Sequence, residues 1–392
     1  MSFKTVALGD VCTITGGGTP SKSNPNFYIG DIPWATVRDM NRDNLEETDF
    51  KISKEAVKES STNIIPKNNV IIATRVGLGK VCIIKQDTAI NQDLRGVVPK
   101  NEKLLDVNYL FYWFKSISKI IIDAGRGATV HGVTLPFVKS LQIPLPSLSI
   151  QRKIVAKLDA IFAEIDKAKV AAELNAKNSY ALYSSAVDTI FGKLTNKTVK
   201  LSSCSDIGYG FTSKSSSEFT GPQYLRITDI QDDNVDWLLV PKINEKTSDV
   251  EKFLLKDGDI VFARTGATTG KSYLIEEPPV SVFASYLIRV DVNRNFVEPE
   301  YLRHFFRSED YWAAINAGIS GAAQGGFNAS KLGDLSFPLP DLTIQKKIIE
   351  KLDAIENNSN IVKKAQENKV KELKLLRQAI LKKAFSGELV KE

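Results

Sequence analysis

The chain predicts an α+β protein made by internal duplication: two similar mixed α/β domains separated by two long antiparallel helices, the halves related by a pseudo-two-fold. Three observations carry this. Pro144-Leu145-Pro146, Leu148, Ile150-Gln151, Lys153-Ile154 and Lys157-Leu158-Asp159-Ala160-Ile161 return as Pro338-Leu339-Pro340, Leu342, Ile344-Gln345, Lys347-Ile348 and Lys351-Leu352-Asp353-Ala354-Ile355, at a constant spacing near half of the 392 residues. A period of that length marks whole domains, since solenoid repeats recur every 20–50 residues. Each block opens a stretch with helical apolar periodicity, and each is preceded by short β-type runs broken by Gly, Asn and Pro. The expected segments are a first domain at 1–147, a helix at 148–196, a second domain at 197–342, and a second helix with its tail at 343–392.

In the first domain, Val70-Ile71-Ile72 and Val81-Cys82-Ile83-Ile84 read as strands. Tyr109 to Ile122 reads as one apolar-aromatic helix ended by Gly125; Pro144 and Pro146 then close the domain, and Ser149 is placed to cap the next helix. In that helix Ile154, Leu158, Ile161, Ile165, Ala168 and Ala172 alternate four and three apart, the seam of a coiled coil. No proline follows until after Lys200, and the next glycine is Gly192, so a helix of about forty residues would reach ~60 Å. The second domain repeats the framework. Lys4-Thr5-Val6 and Leu8 answer to Lys197-Thr198-Val199 and Leu201, Trp34 through Met40 to Tyr224 through Ile230, and Tyr109-Leu110 with Trp113-Phe114 to Tyr301-Leu302 with Phe305-Phe306. Ala73-Thr74-Arg75-Val76-Gly77 with Lys80 answers to Ala263-Arg264-Thr265-Gly266 with Lys271 through a small insertion. The second long helix runs from Thr343 to Phe385, with Ile348, Leu352, Ile355, Val362, Leu373, Leu376 and Ile380 available for packing; Asn357-Asn358-Ser359-Asn360 should interrupt it. A kept framework around divergent loops implies two similar recognition units and a ligand with two sites.

Composition narrows the class. No apolar run approaches the roughly 18 residues of a membrane span, and Met1-Ser2-Phe3-Lys4 lacks an apolar signal core. Cys12, Cys82 and Cys204 are too far apart for metal-type spacing, and only two histidines, His131 and His304, are present. A cytoplasmic protein without structural metal is expected. The net charge of +6 hides a gradient: the first domain is net positive and Lys197 to Thr343 net negative, while the end is basic again, with Lys363-Lys364, Lys369, Lys371, Lys374, Arg377 and Lys382-Lys383. Phosphate contact dominates nucleic-acid affinity, and a chain gripping DNA alone is usually more basic. Local patches, supplemented by a partner's positive surface, fit this balance.

Motifs for catalysis fail one by one. Gly266-Ala267-Thr268-Thr269-Gly270-Lys271-Ser272 has three residues between its glycines where a phosphate loop needs four. Its counterpart, Gly77-Leu78-Gly79-Lys80-Val81, is shorter and lacks the hydroxyl for magnesium. Asn24-Pro25-Asn26-Phe27 resembles the Asn-Pro-Pro-aromatic motif of amino-methyltransferases, without its second proline, a preceding strand or a glycine-rich cofactor loop. The two histidines have no evident nucleophile or metal partner, and Glu46-Glu47 and Asp232-Asp233 read as solvated loop carboxylates.

What remains is a set of polar, Gly-bearing loops suited to DNA. Thr19, Ser21 and Lys22 follow Gly16-Gly17-Gly18, and Ser213 and Lys214 occupy the matching loop. Asn91, Gln92, Gln324 and Asn328 offer amides of the kind that read adenine; Arg38, Arg75, Arg126 and Arg264 suit guanine or phosphate. Lys80, His131, Arg226, Thr268 and Lys271 complete the candidates.

Laid out in this way, the chain resembles the specificity subunits of type I restriction–modification enzymes. The resemblance rests on Pro-Leu-Pro-x-Leu-x-Ile-Gln-x-Lys-Ile at 144–154 and 338–348, Gly17-Gly18-Thr19-Pro20-Ser21 leading to Gly30-Asp31-Ile32-Pro33-Trp34, the Arg264-to-Lys271 loop, and the ending Ala384-Phe385-Ser386-Gly387-Glu388-Leu389-Val390. Many relatives carry Glu before the glutamine, where this chain has Ile150 and Ile344. The resemblance implies two target-recognition domains, each reading half of a split sequence in double-stranded DNA, with helices that set the gap. It implies two modification subunits that carry S-adenosylmethionine and methylate adenine, and motor-nuclease subunits using ATP and Mg. The assembled complex would be a DNA adenine methyltransferase and ATP-dependent endonuclease, while this chain is non-catalytic and binds no cofactor. A specificity chain for methylation alone and a coiled-coil protein-binding scaffold are the competing readings.

Overall fold

The structure is a computed structural model that describes residues 3–126, 132–195, 197–231, 233–320 and 326–390. Its contacts divide into two compact units, Met1–Ala172 with Asn368–Glu392, and Glu173–Glu367. The division cuts through both long helices, Leu148–Gly192 and Leu342–Phe385, so that each unit holds a globular domain with a piece of each helix.

In the first unit, five strands stand in the order Cys12–Gly16, Leu94–Pro99, Val70–Ala73, Val81–Ile84 and Asn44–Leu45, antiparallel except for the last pair. A four-stranded sheet adds Phe50–Ile52, Ile32–Ala35, Thr88–Ile90 and Asn63–Ile65, in which Ile32–Ala35 and Thr88–Ile90 run parallel. The strand Gln142–Pro144 returns antiparallel to Thr5–Ala7 and brings the chain to the start of the long helix. Strands Val70–Ala73 and Val81–Ile84 are buried throughout, which explains why they read as continuous apolar runs.

The second unit repeats the plan. Ser205–Tyr209, Leu287–Val292, Ile260–Ala263 and Ser272–Leu274 form an antiparallel sheet, Gln223–Leu225 runs parallel to Ser281–Phe283, and Thr198–Lys200 pairs with Ser336–Pro338.

The repeated glutamines explain why the block recurs. Gln151 is fully buried in the first turn of its helix; its carboxamide donates to the carbonyls of Leu104 and Pro146 and accepts from the N–H of Asp106, each at 2.9 Å. Gln345 does the same with Phe296, Pro340 and Glu298, at 2.8, 2.8 and 2.9 Å. Nearby, the Tyr109 hydroxyl donates to the Pro144 carbonyl (2.9 Å), and Tyr301 donates to Pro338 (2.6 Å). Buried backbone groups at a domain exit must find partners, and one glutamine satisfies three.

Each unit is completed by the far end of the other repeat's helix. Leu381 and Ala384 are buried with Tyr109, Phe114, Ile154 and Leu158; Tyr183, Val187 and Phe191 are buried with Tyr301, Phe305, Ile348 and Leu352. In the first unit the helix segments are antiparallel, with Lys157 donating to the Leu389 carbonyl (2.9 Å) and Asp166 meeting Arg377 (2.7 Å).

Several local expectations change. Tyr109 to Ile122 is two helices, Val107–Ser116 and Ser118–Arg126, because Ile117 leaves helical dihedrals (φ −102°, ψ 8°); Gly125 lies inside the second. The long helix begins at Leu148, so Ser149 is in its first turn and no cap; in the second copy Asp341 accepts from the Ile344 N–H (2.9 Å). Phe162 takes the buried position expected for Ile161. The second helix runs unbroken through Asn357–Asn360, where Ser359 is buried against its neighbours, tertiary packing overriding weak propensity. Val362 and Leu376 lie exposed, off its seam.

Candidate nucleic-acid interface

Strand register gathers the candidate loops. Gly16 pairs with Arg95, Leu94 with Ala73, and Ile72 with Val81, so the loops after Gly16, after Ala73 and before Leu94 leave from one end of the sheet. Ala35 beside Ile90 brings the turn bearing Arg38 to the same end. In the second domain the pairs Tyr209 with Ile288, Ala263 with Leu287, Phe262 with Ser272 and Leu225 with Phe283 do the same for Ser213, Lys214, Arg226 and the Arg264–Lys271 loop. Asn328 joins them because Phe327 donates to the Arg264 carbonyl (2.9 Å).

In the first domain, Gly17 and Gly18 are required by packing rather than by a phosphate. A Cβ at Gly17 would collide with the carbonyls of Ile90 and Asn91, and one at Gly18 with Ser61. The Gly18 carbonyl accepts from the Trp34 indole (3.2 Å) and the Thr62 hydroxyl (2.7 Å). Thr19 donates to Gln92, Ser21 shares a hydrogen bond with Ser23 (2.7 Å), and Lys22 is exposed. Lys80 reaches back to the Val37 carbonyl (3.2 Å), which fastens the exposed Arg38 turn to the Gly77 hairpin. Asn91 is buried and its carboxamide is engaged with Asp93, leaving Gln92 the more available amide. Arg75 lies 3.7 Å from Asp93. Arg95, which sequence reasoning passed over, donates to the carbonyls of Gln92 (3.0 Å) and Leu94 (2.7 Å); burial, then the Arg75 charge, lowers its pKa from the ordinary value. Two guanidiniums with one carboxylate leave a positive excess there.

In the second domain, Ser213 donates to Glu245 (2.7 Å) and Lys214 is exposed. Arg226 is held in a two-point pair by Asp229 (3.0 and 2.7 Å), so its fork is occupied. Thr268 donates to the Thr265 carbonyl (3.4 Å), and Thr268 and Lys271 line a cavity of about 490 Å³ with Tyr180, Gln231 and Trp312. Asn328 caps the short helix Ala329–Gly333 by accepting from Lys331 (2.8 Å). Arg264 stacks on Tyr209, a residue that the sequence reading missed beside Gly210. Arg126 as a side chain, His131 and Gln324 lie outside the described residues.

The hydrogen bonds also correct the repeat alignment. Ala73 donates to the Lys80 carbonyl and Thr74 to Asp93; Ala263 donates to Lys271 and Arg264 to Tyr286. Arg264 therefore stands in the place of Thr74, and Arg75 in that of Thr265.

His304 is fully buried in the second unit, 2.8 Å from the Tyr183 hydroxyl and 2.9 Å from Asp353. Burial, then Arg303, pushes its pKa down to about 3 against the pull of Glu356. His304, Asp353 and Glu356 are the one group of metal-ligand type among the described residues, but Arg303 bridges both carboxylates (2.6 and 2.7 Å) and takes the place a cation would. Asp233 is no idle loop carboxylate: it pairs with Arg307 (2.9 Å), as Asp43 pairs with Lys115 in the first unit.

Comparison with known proteins agrees with this architecture. The model of the type I restriction modification DNA specificity domain matches residues 2–176 and again 194–372, and the chain belongs to that family. It is 36% identical over 159 residues to the EcoR124I/EcoR124II specificity subunit of Escherichia coli, a match covering 39% of each chain. It is 24% identical to the EcoKI specificity subunit of Escherichia coli K12 over 97% of this chain and 88% of that one. A solved chain from a study of complex assembly and conformational transition of the type I R-M system shares the fold, with a TM-score of 0.79 at 21% identity, covering 99% of this chain and 98% of the other. No helix among the described residues is long and apolar enough to cross a membrane.

Proposed function

We propose that this chain is the DNA sequence-specificity subunit of a type I restriction–modification complex. Each domain reads one half of a bipartite target in double-stranded DNA, and the long helices set the spacing and dock two modification subunits. The observation that carries this is a pair of family domains with the same central strand order and different side chains on the gathered loops. S-adenosylmethionine, ATP and Mg belong on the modification and motor-nuclease subunits, and the chain contributes selection without catalysis. The carboxylates and His304 described above serve as structural partners, which supports that division of labour.

The test is to map methylated bases in DNA exposed to the assembled complex, with residues 1–143 exchanged for those of another family member. One half of the methylated sequence should change and the other should persist. Changing the length of both helices should alter the gap alone. A first-domain exchange that rewrites both halves would sink the modular reading.

A further inference from the structure

We propose that Arg264, stacked on Tyr209, is a specificity-determining residue of the second domain and reads one guanine of its half-site. The inference rests on the DNA-reading role given above and assigns a residue and a base to it.

The backbone of Arg264 is fixed from both sides. Its N–H donates to the Tyr286 carbonyl (3.2 Å), and its carbonyl accepts from Phe327 (2.9 Å). The guanidinium carbon lies 5.0 Å from the centroid of the Tyr209 ring. That ring is held in turn, because the Tyr209 hydroxyl accepts from the Ala329 N–H (3.0 Å). Cation–π stacking orients a guanidinium and leaves its edge donors unspent.

Among the described residues, no carboxylate pairs with Arg264, and its Nε is buried without a partner. Two other arginines of this interface contrast with it: Arg226 is gripped by Asp229, and Arg75 lies beside Asp93. By the backbone hydrogen bonds, the place of Asp93 in the first domain is taken in the second by Tyr286, an exposed aromatic. The first domain thus has a carboxylate where the second has a tyrosine. The adjoining Gly266 adopts φ +74°, with open space around the position a Cβ would take, so the neighbouring loop leaves room for a close approach.

A planar, pre-aligned fork at the exposed end of a sheet matches the two acceptors of guanine, O6 and N7, in the major groove. A phosphate contact would require only charge, which Lys271 and Lys214 already supply from the same end.

The experiment uses the full chain assembled with its modification subunits and maps methylated bases for the wild type, Arg264→Lys, Tyr209→Phe and Tyr209→Leu. Arg264→Lys should relax a single G·C position in one half-site, with preference there falling on the order of tenfold, and leave the other half-site intact. Tyr209→Leu, which removes the stacking face, should weaken the same position; Tyr209→Phe, which keeps the face but releases the ring from Ala329, should weaken it less. The Tyr209 variants carry the test if Arg264→Lys fails to assemble. Uniform loss over all sequences, or relaxation at an A·T position, overturns the assignment. A wild-type complex that methylates without sequence preference would instead overturn the underlying function.

Discussion

Phe385, in the last turn of the second long helix, lies 5.0 Å from the ring of Tyr109; Phe191, in the last turn of the first, lies 5.2 Å from Tyr301. Each globular domain therefore depends on the closing turn of the helix that the other repeat began. Removing that turn takes Leu381, Ala384 and Phe385 from the core of the first unit. Truncation after Lys369 should accelerate hydrogen exchange in Val107–Ser116 and leave the strands of the second unit protected. Equal loosening of both units would contradict the arrangement.

The two buried glutamines offer a paired test. Gln151→Leu leaves the Asp106 N–H and two carbonyls without partners, a penalty of about 1–3 kcal/mol for such a buried group. Gln345→Leu should cost the second unit a similar amount. Thermal melts followed by exchange in each unit should show one loss per substitution, on the side that carries it.

His304 should make the second unit sensitive to mild acid. Its folded pKa, near 3, lies below the ordinary value of 6.5, so below pH 6.5 the unfolded chain binds a proton that the folded chain resists. The stabilising contribution is present above pH 6.5 and is lost as pH falls toward 3, reaching about 2 kcal/mol of loss by pH 5. The drop in melting temperature between pH 7 and pH 5 should shrink in His304→Asn. An unchanged drop would place the titration elsewhere.

Much of this was legible in the sequence. The Pro-Leu-Pro to Ile-Gln block announced the duplication and both helices because one glutamine with three buried partners cannot vary without breaking all three. The strands at Val70 and Val81 declared themselves by continuous apolarity. The register of the binding loops did not, since Arg264 and Arg75 look equivalent until the backbone bonds place Arg264 opposite Thr74. Tyr209, Tyr286 and Arg95 were passed over because their meaning depends on neighbours distant in sequence. The Asn357–Asn360 stretch misled for a related reason, as burial of Ser359 outweighs poor local propensity.

Lys22, Lys214 and Lys271 are exposed cations at the gathered sheet ends. Each one changed to alanine should weaken binding of the assembled complex uniformly over sequences. The salt dependence should fall by about one unit of slope for each phosphate contact removed. Titration of affinity against salt checks this, and a change of preferred sequence would show that the lysine touches a base.

The main-chain bonds from Ala73 to Lys80 and from Ala263 to Lys271 tie off the base of each hairpin without using a side chain. Whatever lies between those anchors can gain a residue or trade an arginine for a threonine while the ladder beneath stays paired. Novelty in the target is thereby separated from the problem of folding. A lineage carrying such a chassis can search for new addresses on the genome through small steps, few of which need to be paid for in the core.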